Sequence, residues 1–177
     1  MNITVYCGSS EGNDTIYTQK AKELGVWMAQ HGITLVYGGG QKGLMGVLAD
    51  AVLNSGGNVI GVIPEFLETV EEVHPNLPKL IVVKTMAERK TRMLELGDAY
   101  LALPGGPGTL EEISEAIAAA RLGRHAKPCI LYNVNGCYDY LEKMFDHMVS
   151  AGFLNESGRD KARFVTSLAD IERILAR

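Results

Sequence analysis

Apolar residues recur along this chain in two alternating patterns. Short, nearly continuous apolar runs such as Ile3–Cys7 and Ile33–Tyr37 are typical of strands that are covered on both faces. Between the runs, apolar residues return at the three- and four-residue spacing of an α-helix, as Ala21, Leu24 and Met28 do. The pattern predicts an α/β fold with a parallel sheet of about six or seven strands and helices on both of its faces.

Glycines, prolines and polar clusters between these patterns set the expected bounds of each element. We predict strands at Ile3–Cys7, Ile33–Tyr37, Val59–Ile63, Leu80–Lys84, Ala99–Leu103, Pro128–Asn133 and Phe164–Thr166. We predict helices that end near His31, Gly56, Leu96, Gly123 and Ala151, and a last helix capped by Ser167. The acidic stretch Glu65–Pro78 is irregular, and we expect a short helical turn and a loop there. No linker, repeat or low-complexity tract is visible, so residues 1–177 are expected to form one domain.

Three glycine-containing loops follow predicted strands: Gly8–Gly12, Gly38–Gly43 and Pro104–Thr109. Loops that leave the carboxyl ends of parallel strands lie along one edge of the sheet, where such sheets bind ligands. The three loops can therefore share one cleft. The third loop joins three glycines and the Thr109 hydroxyl to the start of a helix, which supplies free N–H groups and a positive dipole end. We predict that this loop is an anion-binding site, and the anion bound at such a site is most often a phosphate.

The helix after the third loop carries several glutamates, which helical geometry separates. Acidic residues suit a helix N-terminus, and Thr109 to Glu112 has the spacing of a capping box, so a purely structural role is one interpretation. At roughly 100° per residue, Glu112 lies about 40° from Ala116 at the edge of the apolar stripe, whereas Glu111 points to the opposite side. A carboxylate half turned inward beside a phosphate seat is a candidate for handling sugar hydroxyls or water.

Arg89 lies within the apolar stripe of its own predicted helix, which Met86, Met93 and Leu96 define. An arginine in such a place is seldom left without a partner. It forms either a structural ion pair or a contact, from a cleft or subunit interface, to an anion or a reacting sugar. Lys90 lies at the flank of the stripe and could assist.

Two other motifs suggest different chemistry. Gly38–Gly43 (GGGQKG) has the spacing G-x-G-x-x-G, and Glu65 follows about 20 residues later, as in dinucleotide-binding folds. The motif follows the second strand rather than the first and leaves no residues for a substrate domain, which weakens an NAD(P)-binding interpretation. Gly8–Gly12 (GSSEG) matches G-x-S-x-G, but a nucleophile elbow needs a helix that begins at the serine, and here the helix is delayed. Ser9 or Ser10 is instead a candidate hydrogen-bond donor to a ligand.

Composition restricts the class of protein. The net charge of −4 argues against non-specific nucleic-acid binding, and no apolar run approaches the roughly 18 residues of a membrane span. The chain begins directly with a strand pattern and lacks a basic N-terminal region, so we expect no signal peptide. The three cysteines share no metal-ligand spacing, and the four histidines are scattered. We therefore expect a reduced, cytoplasmic protein without a metal site.

Several of these motifs together resemble the LONELY GUY (LOG) family, the cytokinin riboside 5'-monophosphate phosphoribohydrolases that are often mislabelled as lysine decarboxylases. The most specific part is the P-G-G-x-G-T-x-x-E signature at Pro104–Glu112, combined with Glu88–Lys90 (ERK) upstream. The resemblance extends from about Ile3 to Asn133 and weakens beyond. A lysine decarboxylase would need a Schiff-base lysine for pyridoxal phosphate and a larger cofactor scaffold. The other matching segments are Cys7–Ser10, Val36–Gly40, Gly43–Gly46 and Gly61–Pro64.

The resemblance implies a Rossmann-like, doubly wound fold, a homodimer with a helix-lined interface, and hydrolysis of the bond between a purine base and ribose 5'-phosphate. It places the family's catalytic arginine on Arg89 and its catalytic glutamate on Glu112. No metal or organic cofactor is expected. The expected substrate is a nucleoside 5'-monophosphate, either AMP or an N6-substituted AMP. The residues expected to bind it are Ser9, Gly40, Met45, Lys90, Gly105, Gly106, Gly108, Thr109 and Glu111.

Some positions depart from the family's usual pattern. The residue before Glu88 is often histidine in the family and is Ala87 here, and the variable position of the signature is Pro107. The segment Glu65–Lys79 also fits the family poorly. These differences bear on the choice of base more than on the type of reaction. The alternative function is a carrier protein that keeps the nucleotide cleft but performs no chemistry.

Overall fold

The computed structural model of the protein describes residues 1–70 and 72–176. Within these residues the centre is a sheet of seven strands: β1 (Asn2–Tyr6), β2 (Thr34–Tyr37), β3 (Val59–Pro64), β4 (Lys79–Val83), β5 (Ala99–Ala102), β6 (Cys129–Tyr132) and β7 (Ala162–Val165). Every pair of neighbours is parallel, in the order β4-β3-β2-β1-β5-β6-β7. The predicted α/β class, parallel sheet and doubly wound, Rossmann-like arrangement are confirmed.

Helices flank the sheet: α1 (Thr15–Gln30), α2 (Gly43–Asn54), α3 (Met86–Leu96), α4 (Pro107–Arg121), α5 (Asp139–Ser150), α6 (Glu156–Arg159) and α7 (Leu168–Leu175). On one face, α1, α2 and α7 bury Leu24, Leu48 and Ile171 in the core. On the other face, α3, α4 and α5 bury residues such as Met93 and Ile113. In the part of the chain that the structure describes, no helix combines the length and apolar character needed to cross a membrane.

Local side-chain chemistry fixes several helix ends where the sequence predicts them. Thr85 caps α3, because its Oγ1 accepts from the N–H of Glu88 at 3.1 Å. The Glu88 carboxylate in turn accepts from the N–H of Lys84 at 2.7 Å, one residue earlier than in a standard capping box. Ser167 caps α7 in the same way. Gly32, just beyond α1, has a φ of +64°, as expected of a residue that ends a helix.

The structure differs from the prediction mainly near the C-terminus. The last strand is Ala162–Val165 rather than Phe164–Thr166, and its end residues Ala162 and Val165 are buried on opposite faces of the sheet. The exposed Arg163 between them hides the apolar pattern. The short helix α6, capped by Asn155, and a 3₁₀ turn at Val134–Gly136 were not predicted. Elements of three or four residues are too short to show a helical period.

The acidic stretch between β3 and β4 forms the predicted short helical turn, at Glu65–Leu67, followed by a loop. Glu71, within that loop, lies outside the described residues. The loop approaches the second glycine loop, and Val73 stands opposite Gly40 in an antiparallel bridge. The stretch is therefore packed against the edge of the sheet that carries the glycine loops.

The chain reverses its direction across the sheet between β1 and β5. β2, β3 and β4 are added on one side of β1, and the chain then returns to place β5 on the other side. At such a switch point, the loops after the two central strands diverge and leave a crevice at the carboxyl edge. The loops Gly8–Gly12 and Pro104–Thr109 follow β1 and β5 and lie at this crevice.

Candidate active site

The three glycine loops meet at the carboxyl edge of the sheet, as predicted. The N–H of Gly8 donates to the carbonyl of Pro104 at 3.0 Å, and the N–H of Leu44 donates to the carbonyl of Gly8 at 3.1 Å. The backbone of Ser9, whose side chain is exposed, lies so close to Gly43 that a Cβ atom there would overlap with it. The loops after β1, β2 and β5 thus form one continuous backbone surface around the switch point.

The loop after β5 has the geometry of an anion seat. Gly106 is the N-cap of α4 without a side-chain cap, and Pro107 occupies the start of the helix, so N–H groups of the first turn face outward. A Cβ atom on Gly106 or Gly108 would meet no other group within 4 Å, which leaves the space above the loop open. Gly105 is packed tightly by contrast, because a Cβ atom there would overlap with the buried side chain of Thr109.

The loop Pro104–Thr109, which we call the anion loop after its predicted role, also contacts a residue that the sequence did not connect with it. Burial raises the pKa of the Cys137 thiol, and a hydrogen bond from the backbone of Gly105 opposes that rise. The neighbouring Tyr138 hydroxyl donates to the carbonyl of Leu103 at 2.6 Å. The segment after β6 therefore supports the end of β5. Sequence spacing gave no signal for this contact, since the residues belong to different β–α units.

Arg89 is buried at the carboxyl ends of β2 and β3. It is only 5% exposed, and its Nε donates to the carbonyl of Val62 at 3.1 Å while its Nη2 donates to the carbonyl of Gly38 at 3.0 Å. A Cβ atom on Gly38 would overlap with Nη2 and would lie 3.1 Å from Sδ of Met45. The guanidinium therefore lies directly on the second glycine loop, and its burial agrees with its place in the apolar stripe of α3.

Glu112 and Arg89 both influence the pKa of the Cys7 thiol, which lies just after β1. Burial raises the pKa of the Cys7 thiol, the Glu112 carboxylate raises it further, and the Arg89 guanidinium opposes the rise. Burial also raises the pKa of Tyr6, and Glu112 adds to that shift. Glu112 is half-buried whereas Glu111 is exposed, as the helical wheel predicts. The structure thus brings a carboxylate and a guanidinium to the end of β1, beside the anion loop.

Lys90 and Glu111 form an ion pair that connects α3 to α4. The Nζ of Lys90 lies 2.8 Å from a carboxylate oxygen of Glu111 and 3.1 Å from one of Glu115. These hydrogen bonds raise the pKa of Lys90. The pair links the helix of Arg89 to the helix of Glu112, so it helps to fix the spacing between them. Direct contact of Lys90 or Glu111 with a substrate stays a prediction.

Met45 and Gly40 lie on the second glycine loop and the helix that follows it. Met45 is buried in the first turn of α2, and its sulfur lies beside Gly38, next to Arg89. Gly40 is buried opposite Val73. The structure therefore brings Met45 close to Arg89, while a base pocket walled by Met45 and Gly40 stays a prediction.

Packing explains the dinucleotide-type spacing of this second loop. Gly38 makes room for Arg89, and Gly43 makes room for the backbone of Ser9. The loop also follows β2 rather than the central strand β1, where the switch point lies. These contacts account for the first and last glycines of the motif without a bound dinucleotide.

Comparison with known proteins identifies close relatives. The family described as "Possible lysine decarboxylase" matches residues 45–175. A Rhodococcoides fascians protein named cytokinin riboside 5'-monophosphate phosphoribohydrolase is 45% identical over 176 residues, which are 99% of this chain and 87% of that protein. An Arabidopsis thaliana protein of the same name is 42% identical over 98% of this chain and 80% of its own length. The molybdenum cofactor carrier protein of Chlamydomonas reinhardtii superposes with a TM-score of 0.74 over 99% of this chain and 98% of that chain; at 22% identity, it shares the fold.

Proposed function

This chain belongs to the family of cytokinin riboside 5'-monophosphate phosphoribohydrolases, and we propose that it hydrolyses the N-glycosidic bond of nucleoside 5'-monophosphates to release the free base and ribose 5-phosphate. The observation that carries the proposal is the crevice at the switch point, where an open anion loop adjoins the half-buried Glu112 and the buried Arg89. We propose AMP or an N6-substituted AMP as the substrate. We further propose that the chain is one nucleotide-binding domain that works in the cytoplasm.

The phosphate of the substrate would be bound by the loop after β5. The N–H groups of Gly106, Gly108 and Thr109 would receive the 5'-phosphate, Gly105 would shape the loop, and Ser9 would assist from the neighbouring loop. The first turn of α4 carries the positive end of the helix dipole, which favours a dianion at this position. A phosphate held there would place the ribose near the end of β1.

Bond cleavage would then occur beside Glu112. As the base departs, positive charge develops on the ribose ring, and water adds a hydroxyl group to C1' while the base gains a proton. The Glu112 carboxylate either orients that water or stabilises the oxocarbenium-like charge. Arg89 would position the sugar phosphate and Glu112, and could assist the leaving base. Its burial and its two bonds to backbone carbonyls support a fixed position for the guanidinium.

The residues present do not fit the decarboxylase chemistry that the family description suggests. Pyridoxal phosphate needs a lysine whose neutral amine can form a Schiff base. Lys90 donates to two carboxylates that raise its pKa. Lys42, at the second glycine loop, lies 2.8 Å from a carboxylate oxygen of Glu72. Both lysines therefore take part in ion pairs at the rim of the loops.

A product assay tests the proposed function directly. We expect the protein to release free base and ribose 5-phosphate from AMP or from N6-isopentenyladenosine monophosphate, as measured by chromatography. Tight nucleotide binding without product would favour the carrier function. Absence of both binding and product would contradict the proposed site. Titration with NADH, followed by fluorescence, checks the dinucleotide interpretation and is expected to show no binding.

Replacing Gly108 with alanine should separate phosphate binding from stability. Side chains in a helix tilt toward its N-terminus, so the new methyl group would lean into the anion seat. We expect affinity for inorganic phosphate and AMP to fall about tenfold, or about 1.4 kcal/mol. The free energy of unfolding should rise by about 0.5–1 kcal/mol, because alanine favours a helix more than glycine does and no protein atom is displaced.

Gly32→Ala is the matched control for this prediction. Gly32 also has open space around it, but its φ is +64° and it lies beyond α1, away from the glycine loops. The control should therefore lose stability and keep its phosphate affinity. If Gly108→Ala bound phosphate as tightly as the wild type, the seat would lie elsewhere.

We propose that the protein is a homodimer through the exposed side of α4. Leu110, Ser114, Ala118 and Leu122 recur every four residues there; Leu110 is 41% exposed and Leu122 is 79% exposed. Exposed apolar side chains in a row, with small residues between them, suit contact with a second helix.

Ala118→Arg should disrupt this dimer. The long charged side chain would enter the helix contact, so light scattering after gel filtration should report a dimer for the wild type and a monomer for the variant. Ala169→Arg, on α7 at the opposite face of the sheet, should remain dimeric. A monomeric wild type, or a dimeric Ala118→Arg protein, would exclude this interface.

A further inference from the structure

His74 is a buried polar residue that the proposed reaction does not use. It is 3% exposed, although it lies in the loop between β3 and β4. Its Nε2 lies 3.1 Å from Oδ1 of Asp50 on α2, and its Nδ1 lies 3.3 Å from the N–H of Asn76. Because Nδ1 accepts from a backbone donor, Nε2 carries the proton and donates to Asp50. Both ring nitrogens are thus satisfied, and the ring is fixed in one orientation.

The backbone beside His74 adopts an unusual conformation. Glu72 has a φ of +50°, in the left-handed region that residues other than glycine seldom adopt. Its carbonyl accepts from the N–H of Gln41 at 2.8 Å, and its side chain pairs with Lys42. Such a conformation persists where surrounding contacts determine it. Both of these contacts are made with residues of the second glycine loop.

The second glycine loop also connects His74 to Arg89. The N–H of His74 donates to the carbonyl of Gly39 at 3.0 Å. The carbonyl one residue earlier, that of Gly38, accepts from Nη2 of Arg89 at 3.0 Å. His74 and Arg89 therefore donate to the carbonyl groups of two adjacent loop residues, Gly39 and Gly38. Gly39 has a φ of +82° and no side chain, so the loop has little steric restraint of its own.

We propose that His74, oriented by Asp50, is a positioning residue that fixes the Gly38 carbonyl and, through it, the guanidinium of Arg89. The consequence for catalysis rests on the proposed function, whereas the positioning itself does not. His74 does not touch the substrate in this proposal. Without the imidazole, the backbone of His74, whose N–H donates to the carbonyl of Gly39, is no longer tied to Asp50. The second glycine loop then becomes less fixed, and with it the Gly38 carbonyl that accepts from Arg89.

Hydrogen exchange at Arg89 tests the positioning without any substrate. The exchange of the Nε–H of Arg89 with water can be followed by ¹⁵N NMR in the wild type and in variants. We expect this rate to rise about tenfold in His74→Ala and in Asp50→Ala, because local opening of the loop becomes easier. His74→Gln should stay close to the wild type, since its amide nitrogen can donate to Asp50 as Nε2 does. His147→Ala, an exposed histidine on α5, is the matched control and should change nothing.

The Asp50 variant keeps the test decisive if His74→Ala does not fold. The Asp50 side chain is 60% exposed, so its removal leaves no buried cavity. An unchanged exchange rate in the variants that fold would overturn the positioning role.

Kinetics test the consequence for catalysis. We expect kcat for base release from AMP to fall about tenfold in His74→Ala, with KM within about twofold and with rescue by His74→Gln. A rise in KM at unchanged kcat, or equal kcat in all variants, would contradict the link to Arg89. A wild-type protein that releases no base would contradict the proposed function, while the exchange measurement would still decide whether His74 positions Arg89.

Discussion

Replacing Glu112 with glutamine is expected to lower kcat for base release from AMP by about 10³-fold, while affinity for inorganic phosphate stays within about twofold. Glutamine keeps the shape of the side chain and removes its negative charge. In the proposed reaction, Glu112 acts through that charge, whether it orients water or stabilises the ribose cation. The anion loop should stay intact, because it is made of backbone N–H groups and has no side-chain cap that the substitution would remove.

The neighbouring Glu115→Gln variant provides the control for this prediction. Glu115 lies on the same helix and pairs with Lys90 at 3.1 Å, on the exposed side of α4. Its kcat should stay within about threefold of the wild type, since surface ion pairs contribute about 0–1 kcal/mol. Full activity in Glu112→Gln would remove this carboxylate from the reaction. A matched loss of activity and phosphate binding would show instead that the substitution disturbs the loop.

The positions of Glu112 and Arg89 could be predicted from the sequence because they follow from local geometry. The helical period places Glu112 at the edge of an apolar stripe and Arg89 within one, and the structure shows the first half-buried and the second buried. The meeting of the three glycine loops was also predictable, since all of them leave parallel strands at the same edge. Periodicity thus determined which side chains point inward and at which edge of the sheet they lie.

The partners of these residues could not be predicted, because they are joined by contacts between distant segments. Arg89 bonds to the carbonyls of Gly38 and Val62, which any sequence would offer. His74 meets Asp50 only because the loop between β3 and β4 folds back over α2. Backbone acceptors and packed glycines carry no signature of their own in the sequence, so periodicity and spacing rules do not detect such contacts.

Proteins of different function share this fold, so the function of each depends on a few residues. The molybdenum cofactor carrier protein shares this arrangement of strands and helices at 22% identity. An open crevice at the switch point is therefore a property of the fold, and chemistry must come from the side chains around it. In the proposed function, Glu112 and Arg89, the two charged residues near Cys7, are what distinguishes hydrolysis from simple binding.

Gly38→Ala is expected to lower kcat for base release about 100-fold by displacing Arg89. A Cβ atom at this position would overlap with Nη2 of Arg89 and approach Sδ of Met45, and the guanidinium has little room to move because Nε is held by Val62. The free energy of unfolding should also fall by about 1–3 kcal/mol, as is usual when a close-packed site is overfilled. Steady-state kinetics and denaturant unfolding measure the two effects separately.

A second crowded glycine, distant from the site, controls for the loss of stability. A Cβ atom on Gly57 would lie 2.7 Å from Val52 and 2.8 Å from Ala29, at the contact between α1 and α2. Gly57→Ala should therefore lose similar stability and keep kcat within about threefold. In a second control, Arg89→Lys and the double variant with Gly38→Ala should have the same kcat, because both changes remove one interaction. If Gly38→Ala were as active as Gly57→Ala, the contact between the second glycine loop and Arg89 would have no role in the reaction.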